Sequence, residues 1–203
     1  MNFLGFKKNF EKYPVFSVRD IRKRYPGFDG RRLVEWQQKG YLLKINRGNY
    51  CFADRERGER FLYFAANKIY APSYISLESA MAYYSLIPEG VFLTTSVTTK
   101  NTAKYSTGIG GFAYRHIKPD LFFGYRFLQE NNFTIKIAKP EKAVLDFFYF
   151  NKTNNIAAVE SMRFNTVLAK EIINTDLLEQ YQKIFNSKIL DKRIKLFLKI
   201  INA

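Results

Sequence analysis

Residues 16–52, FSVRDIRKRYPGFDGRRLVEWQQKGYLLKINRGNYCF, decide how the chain is organised. Ser17 stands where a helix cap belongs. Behind it Val18, Ile21 and Tyr25 recur near helical spacing, while Arg19, Arg22, Lys23 and Arg24 fall on other faces. Pro26-Gly27 stops that helix. Asp29 is placed to cap a second helix that carries Leu33 and Trp36 inward, sets Arg31 and Arg32 in its first turn, and ends at Gly40. Tyr41 to Ile45 and Tyr50 to Phe52 alternate as strands around Asn46-Arg47-Gly48-Asn49, a turn whose Gly and Asn residues tolerate positive φ. Helix, breaker, helix and basic hairpin in this order predict a winged helix-turn-helix. Upstream, residues 3–13 read as a short amphipathic helix of the same module, with Phe3, Leu4, Phe6 and Phe10 apolar and Lys7, Lys8 and Lys12 outward.

Such a module neutralises phosphates and reads base edges. A second helix that enters the major groove presents its N-terminal residues, so Gly30, Arg31 and Arg32 are the candidates for readout, with Gln37 or Gln38 further along. Arg47 at the hairpin tip suits a minor groove or a flanking phosphate. Arg19 and Arg22 on the first helix, with Lys44 and Asn49 on the hairpin, complete the expected contacts to double-stranded DNA. Charge runs alone are usually solvated helix faces; the order of the elements is what points to DNA here.

Composition agrees. The chain has 203 residues, of which 47% are hydrophobic, enough for one large or two small cores. Net charge is +15, which favours polyanions and makes a membrane surface a weaker second choice. Residues 1–57 hold 14 Lys and Arg against 6 Asp and Glu, so +8 of the +15 sits in that segment. One cysteine, Cys51, excludes an internal disulfide, and together with a single histidine it excludes the common Cys/His zinc sites. A packed, inert Cys51 in a reducing cytosol is the expectation. MNFLGFKKNF lacks a signal peptide's apolar core and no run is long enough to span a bilayer, so a cytoplasmic protein without membrane association is expected.

After the hairpin, the polar residues 53–58 read as a linker. They divide a DNA-binding domain, 1–57, from a second domain, 58–203. Glu59 to Tyr70 reads as a helix, and either Ser76, with Glu78 and Ser79 nearby as a cap that is not strict, or the preceding turn starts another through Leu77, Ala80, Met81 and Tyr84. Ile87-Pro88-Glu89-Gly90 breaks the pattern. From Val91 the period becomes that of strands, in VFLTTSVTT, FAYRHI (112–117), FGYRFLQ (123–129) and FTIKIA (133–138), which predicts one sheet of four. Pro140 opens a helix whose Val144, Leu145, Phe147, Phe148 and Phe150 require burial on most sides. Asp146 is its odd member, and Lys142 one turn earlier can pair with it. Breaks at Asn165-Thr166, Asn174-Thr175 and Asn186-Ser187 divide the remainder into short helices, the last of them basic and amphipathic, with Ile189, Leu190, Ile194, Leu196, Phe197 and Ile200 apolar against Lys188, Lys192, Arg193, Lys195 and Lys199. The fold class expected is α+β: a winged helix-turn-helix, then a mixed α/β domain with a small sheet and C-terminal helices.

The series YISLESAMAYYSLIPE, SVTTK, FAYRHI, LFFGY and IAKPEKAVLDFFY, behind the hairpin module, resembles the AbiEi family of type IV antitoxins, also called transcriptional regulators of abortive-infection systems. The resemblance runs over most of residues 15–150 and keeps the motif order; after 151 nothing matches. It implies a winged helix that binds inverted repeats in the protein's own promoter and represses a two-gene operon. It also implies a C-terminal part that counters a nucleotidyltransferase-like toxin encoded alongside, without the two proteins having to touch. Arg31, Arg32 and Arg47 match the DNA-reading part of the pattern. Glu78, Thr99, Lys100, Arg115, His116, Glu141, Lys142 and Asp146 mark the antitoxin domain with no role attached.

Enzymatic readings rest on less. Glu78, Asp120, Glu141, Lys142 and Asp146 could be gathered into a metal-dependent nuclease, but the acid-x-Lys strand spacing is absent. Glu141 is better explained as a complement to a helix dipole, and Lys142 as one half of an intrahelical pair. His116 has no nucleophile elbow and no second histidine, and Gly108 to Gly111 lacks a phosphate loop's Gly-Lys-Ser/Thr ending, so a hairpin turn suits it. Tyr114-Arg115 and Tyr125-Arg126 leave open stacking on single-stranded nucleic acid, although most of the 34 Tyr and Phe residues should be buried. The expectation is a DNA-binding autorepressor and antitoxin with no catalytic site, metal or cofactor. The alternatives are a transcription factor with a ligand- or partner-sensing C-terminal domain and a nucleic-acid-processing enzyme targeted by the winged helix.

Overall fold

A computed structural model describes residues 2–88, 92–130, 132–152 and 155–202; Glu89, Gly90 and Val91, on which part of the expected break and strand start fall, lie outside these. The architecture is α+β. The order begins α1 (Phe3–Phe10), β1 (Phe16–Ser17), α2 (Val18–Arg24), α3 (Arg31–Gln38), β2 (Leu42–Asn46) and β3 (Asn49–Phe52). Ser17 caps α2 in a reciprocal box: its hydroxyl accepts the Asp20 N–H and the Asp20 carboxylate accepts the Ser17 N–H. The α3 cap differs from expectation. Gly30 occupies the capping position, and Asp29, one residue earlier, accepts the Arg31 N–H at 3.0 Å because its short side chain reaches two residues ahead. At the other end Gly40, at φ +70°, lets its own N–H reach the Gln37 carbonyl and the Tyr41 N–H reach that of Trp36.

β1, β3 and β2 form an antiparallel sheet in that spatial order, with Phe16 opposite Tyr50 and Leu42 opposite Phe52. Phe6, Phe10, Phe16, Ile21, Leu33, Trp36, Leu42, Tyr50 and Phe52 make an aromatic core against it. Phe6 lies 4.7 Å from the Trp36 ring and 4.8 Å from that of Phe10, centre to centre. Leu4, expected inside, is 76% exposed. It stands about 100° round α1 from Phe3, and Phe3, Phe6 and Phe10 already fill the inward stripe.

The second unit runs α4 (Glu59–Ile69), β4 (Ser73–Ile75), α5 (Leu77–Tyr83), β5 (Leu93–Thr98), β6 (Ala103–Thr107), β7 (Gly110–His116), a 3-10 turn at Pro119–Leu121, β8 (Tyr125–Glu130), β9 (Phe133–Ala138) and α6 (Pro140–Phe150). The expected sheet of four has six strands, ordered β6-β7-β5-β4-β9-β8. β4 has only three residues behind Pro72, and β6, although its side chains alternate, has a single large apolar residue, Tyr105, so neither stands out as a strand in the sequence. β4 with β9 and β5 with β7 are parallel; the remaining neighbours are antiparallel. The chain closes with α7 (Ile156–Glu160), α8 (Thr166–Ile172), α9 (Thr175–Phe185) and α10 (Lys188–Ile201). Asn165, Asn174 and Ser187, at the breaks read from sequence, cap α8, α9 and α10 through their side chains. α10 docks by Leu190, Ile194, Phe197 and Ile201. Arg193, expected on its polar face, is buried and donates to the Phe148 carbonyl at 2.8 Å, while Ile189, expected among the apolar positions, is 62% exposed.

Val15, Ile45 and Cys51 belong to the core of the second unit and not to the aromatic one. Along β3 the side chains alternate: Tyr50 and Phe52 enter the aromatic core and Cys51 the other. The small sheet is thus a wall shared by two cores, and Lys68 on α4 reaches Asp20 on α2 at 3.1 Å beside it. No helix among the described residues is long and apolar enough to cross a membrane. Burial pushes the Cys51 thiol up to about 11. Iodoacetamide at pH 8 should therefore leave the native protein unlabelled and modify it in urea. Labelling of the native protein at the rate of a free thiol would mean that the wall is open.

Candidate nucleic-acid interface

The hairpin and α2 are fastened to each other. The Val18 N–H donates to the Gly48 carbonyl at 3.0 Å, which sets Arg47 and Arg19 one residue either side of that bond. Both are exposed, as are Arg22, Lys23, Arg24 and Lys44, and Arg19 and Arg22 share a face at i, i+3. The Asn49 amide donates to the Asn46 side chain at 2.7 Å, so its first task is closing the turn.

On α3 the exposed residues Arg31, Val34, Glu35 and Gln38 fall at i, i+3, i+4 and i+7 and make one outward stripe. Arg32 and Gln37 flank it, half-buried. Gln37 turns its amide back on the Leu33 carbonyl at 2.7 Å, which places Gln38, of the two glutamines, on the stripe. Arg31 projects with 91% of its side chain exposed and pairs with Asp29 at 3.0 Å; hydrogen bonds from that guanidinium, then from the Arg31 N–H, hold the Asp29 carboxyl below its usual range. Gly30 precedes this turn with open space where a side chain would begin. Glu35 is paired with Lys39 at 2.7 Å. Val34, 54% exposed at the centre of the stripe, is a residue the sequence reading missed. Its signal was positional, three residues on from Arg31, and an apolar group there can meet a thymine methyl.

The residues singled out in the second unit divide between two places. Lys100, Arg115 and His116 are exposed at one end of the sheet, Thr99 beside them is half-buried, and the His116 Nδ1 lies 3.0 Å from the Lys100 carbonyl. Glu78 is half-buried at the start of α5. Glu141, Lys142 and Asp146 are buried on α6, with Lys142 and Asp146 wholly inaccessible. Glu141 accepts the Asn174 N–H at 2.9 Å. Asp146 pairs with Lys142 as the spacing foretold, and also accepts the Tyr74 hydroxyl at 2.9 Å and the Ser76 hydroxyl at 2.8 Å. Burial pulls the Lys142 ammonium down against the attraction of Asp146, and burial pushes the Tyr74 phenol well up.

Ser76 precedes α5 as expected, but its hydroxyl serves Asp146 and makes no cap bond. Thr95 on β5 replaces it. The Thr95 hydroxyl accepts the Ser79 N–H at 3.0 Å and donates to the Ser76 carbonyl at 2.8 Å, and the Thr95 N–H donates to the Ser79 hydroxyl at 2.8 Å. These bonds clamp Leu77 between them at φ +57°, a conformation that costs a bulky residue about 1–3 kcal/mol. The stacking platform considered for Tyr114 does not form, because that ring is fully buried with its hydroxyl on the Ala66 carbonyl; Tyr125 is half-buried and stacks on Tyr74 at 5.2 Å. Among the described residues no group of three or more His, Cys, Asp and Glu could hold a metal ion.

No protein-family model matches the chain, and no curated protein matches its sequence.

The buried pair invites a direct test. Lys142→Met alone should cost about 3–5 kcal/mol in urea unfolding by leaving Asp146 unpaired, whereas Lys142→Met with Asp146→Leu should recover part of that loss. A double variant no more stable than the single one would mean that the Tyr74 and Ser76 bonds, and not the ion pair, carry the network.

Proposed function

We propose that residues 3–52 form a winged helix-turn-helix that binds double-stranded DNA, with α3 as the recognition helix and the β2–β3 hairpin as the wing. The observation that carries this reading is the outward stripe of α3 together with exposed cations at the two places where phosphates would flank it, on α2 and at Arg47. On this reading Arg31, at the start of α3, reads a guanine edge, Val34 and Gln38 touch bases deeper in the groove, and Arg19, Arg22, Lys44 and Arg47 neutralise phosphates. Asp29 holds Arg31 until DNA takes it over. Consistent with the resemblance to AbiEi antitoxins, the DNA is an inverted repeat upstream of the protein's own gene. The second unit counters a nucleotidyltransferase-like toxin, the protein acts in the cytoplasm, and it has no chemistry of its own.

The test is an electrophoretic mobility shift on that upstream DNA against scrambled competitor, with salt varied. Arg31→Ala and Arg32→Ala should each weaken specific binding by about 1–3 kcal/mol and relax sequence preference; Arg47→Ala should weaken specific and scrambled DNA alike. Asp29→Ala should strengthen binding to both, since it removes a negative charge and frees Arg31. Binding of Arg31→Ala and Arg32→Ala proteins indistinguishable from wild type would refute α3 as the reading element. A retardation lost to scrambled competitor and modest salt would reduce the basic surface to an electrostatic anchor.

Antitoxicity separates from repression on the same reading. When the toxin of the operon is co-expressed, the Arg31→Ala/Arg32→Ala double variant should still protect growth while no longer repressing a promoter fusion. Loss of both together would place the neutralising surface on the DNA-binding unit.

A further inference from the structure

A cleft of about 390 Å³ opens where α1, α2 and α4 meet, within the range of about 300–1,000 Å³ usual for small-molecule sites. Its floor is apolar, from Phe10 and Val15, one residue from each core, with Phe64 of α4 beside them. Four cations surround that floor: Lys12 after α1, Lys23 and Arg24 at the end of α2, and Lys68 on α4. Lys68 is paired with Asp20 and Lys12 lies over the Tyr13 ring at 5.3 Å; among the described residues no carboxylate pairs with Lys12, Lys23 or Arg24. Tyr13 is 45% exposed at the rim, with Phe10 5.7 Å away centre to centre, and presents the part of its ring that these neighbours leave open.

Asp20 is the one anion of the lining and explains why the site suits more than bare phosphate. The bonds it accepts from the Ser17 N–H, the Ser17 hydroxyl and Lys68 all end on Oδ2. Oδ1 is left to accept a hydroxyl or amine from a ligand. Cations for a polyphosphate, rings for a base and a carboxylate oxygen for a sugar hydroxyl are the complementary chemistry of a nucleotide. We propose that this cleft binds a free nucleoside di- or triphosphate, with Lys12, Lys23, Arg24 and Lys68 on the phosphates and Tyr13 and Asp20 on the nucleoside.

The ligand would bridge α2 to α4 and thus join the unit that carries the basic surface to the unit behind it. Isothermal titration calorimetry of the full chain with ATP, GTP, adenosine and inorganic pyrophosphate tests the assignment. ATP or GTP should bind in the micromolar range, and pyrophosphate and adenosine each at least tenfold more weakly. Lys68→Ala, and separately the exposed pair Lys23→Ala/Arg24→Ala, should weaken the nucleotide by about tenfold or more, as expected for losing charge-assisted hydrogen bonds. Lys188→Ala/Lys192→Ala, on the distant α10, should not. The exposed pair keeps the test sound if Lys68→Ala loosens α2, and the fluorescence of Trp36, the single tryptophan, reports whether the aromatic core is intact. Absence of nucleotide binding, equal affinity for pyrophosphate, or undiminished binding by the Lys23→Ala/Arg24→Ala protein would each overturn the proposal. The inference stands apart from DNA recognition: the Arg31→Ala/Arg32→Ala protein should bind nucleotide as wild type does.

Discussion

The alternation of side chains along β3 holds the two halves of the molecule together. Because neighbouring residues of a strand point to opposite faces, Tyr50 and Phe52 can serve one core only if Cys51 serves the other. A slip of one residue would present a thiol to the aromatic core and two large rings to a space shaped for a small side chain. Three features pin the register: the Arg47-Gly48 turn, the irregularity between Lys44 and Asn46, and the bond from Val18 to Gly48. The same contacts therefore set the hairpin tip, the start of α2 and the relation of the aromatic unit to what lies behind it. An arrangement of cations on that surface inherits its rigidity from hydrophobic packing on both sides of one short strand.

The second unit is organised around a polar group that its apolar surroundings penalise. Asp146 gathers an ammonium and two hydroxyls where bulk solvent has no access, and the surrounding elements are bent to that purpose: Ser76 gives up its capping bond, Thr95 supplies one in its place, and Leu77 is held at an unfavourable φ. Replacement of such a network by well-packed apolar groups is often neutral or better for stability. The network ties β4, β5, α5 and α6 together through bonds in which each of these polar groups has a partner.

Helices whose ends carry their own chemistry are legible in the sequence. Ser17, Asn165, Asn174 and Ser187 cap what their positions announce, and the i, i+4 spacing of Lys142 and Asp146 foretold their pair. The strands with apolar alternation were equally plain. What escaped depends on residues distant in sequence. β4 is defined by neighbours on both sides and not by its three residues; the task of Ser76 is decided by Asp146 seventy positions on; Arg193 is drawn inward by a carbonyl of α6. In the basic surface, the cations were legible as a set, but the division of α3 into an outward stripe and two flanks needed the helix in place. Val34 gained its interest, and Gln37 lost some, on that ground alone.

The burial of Lys142 also carries an order of events. Its ammonium lies 4.7 Å from the Phe185 ring of α9, and the Cγ of its side chain packs with Tyr181 around Gly124; the last turn of α6 is completed by Arg193 of α10. Residues 181–193 thus supply the last part of the surroundings of the pair at the centre of the second unit and answer a carbonyl of α6. The aromatic unit has every residue of its core in hand by Phe52. Synthesis from the N-terminus therefore delivers every ring of the aromatic core first and the cover over the polar pair last, with the Cys51 side of β3 as the surface against which the second unit packs.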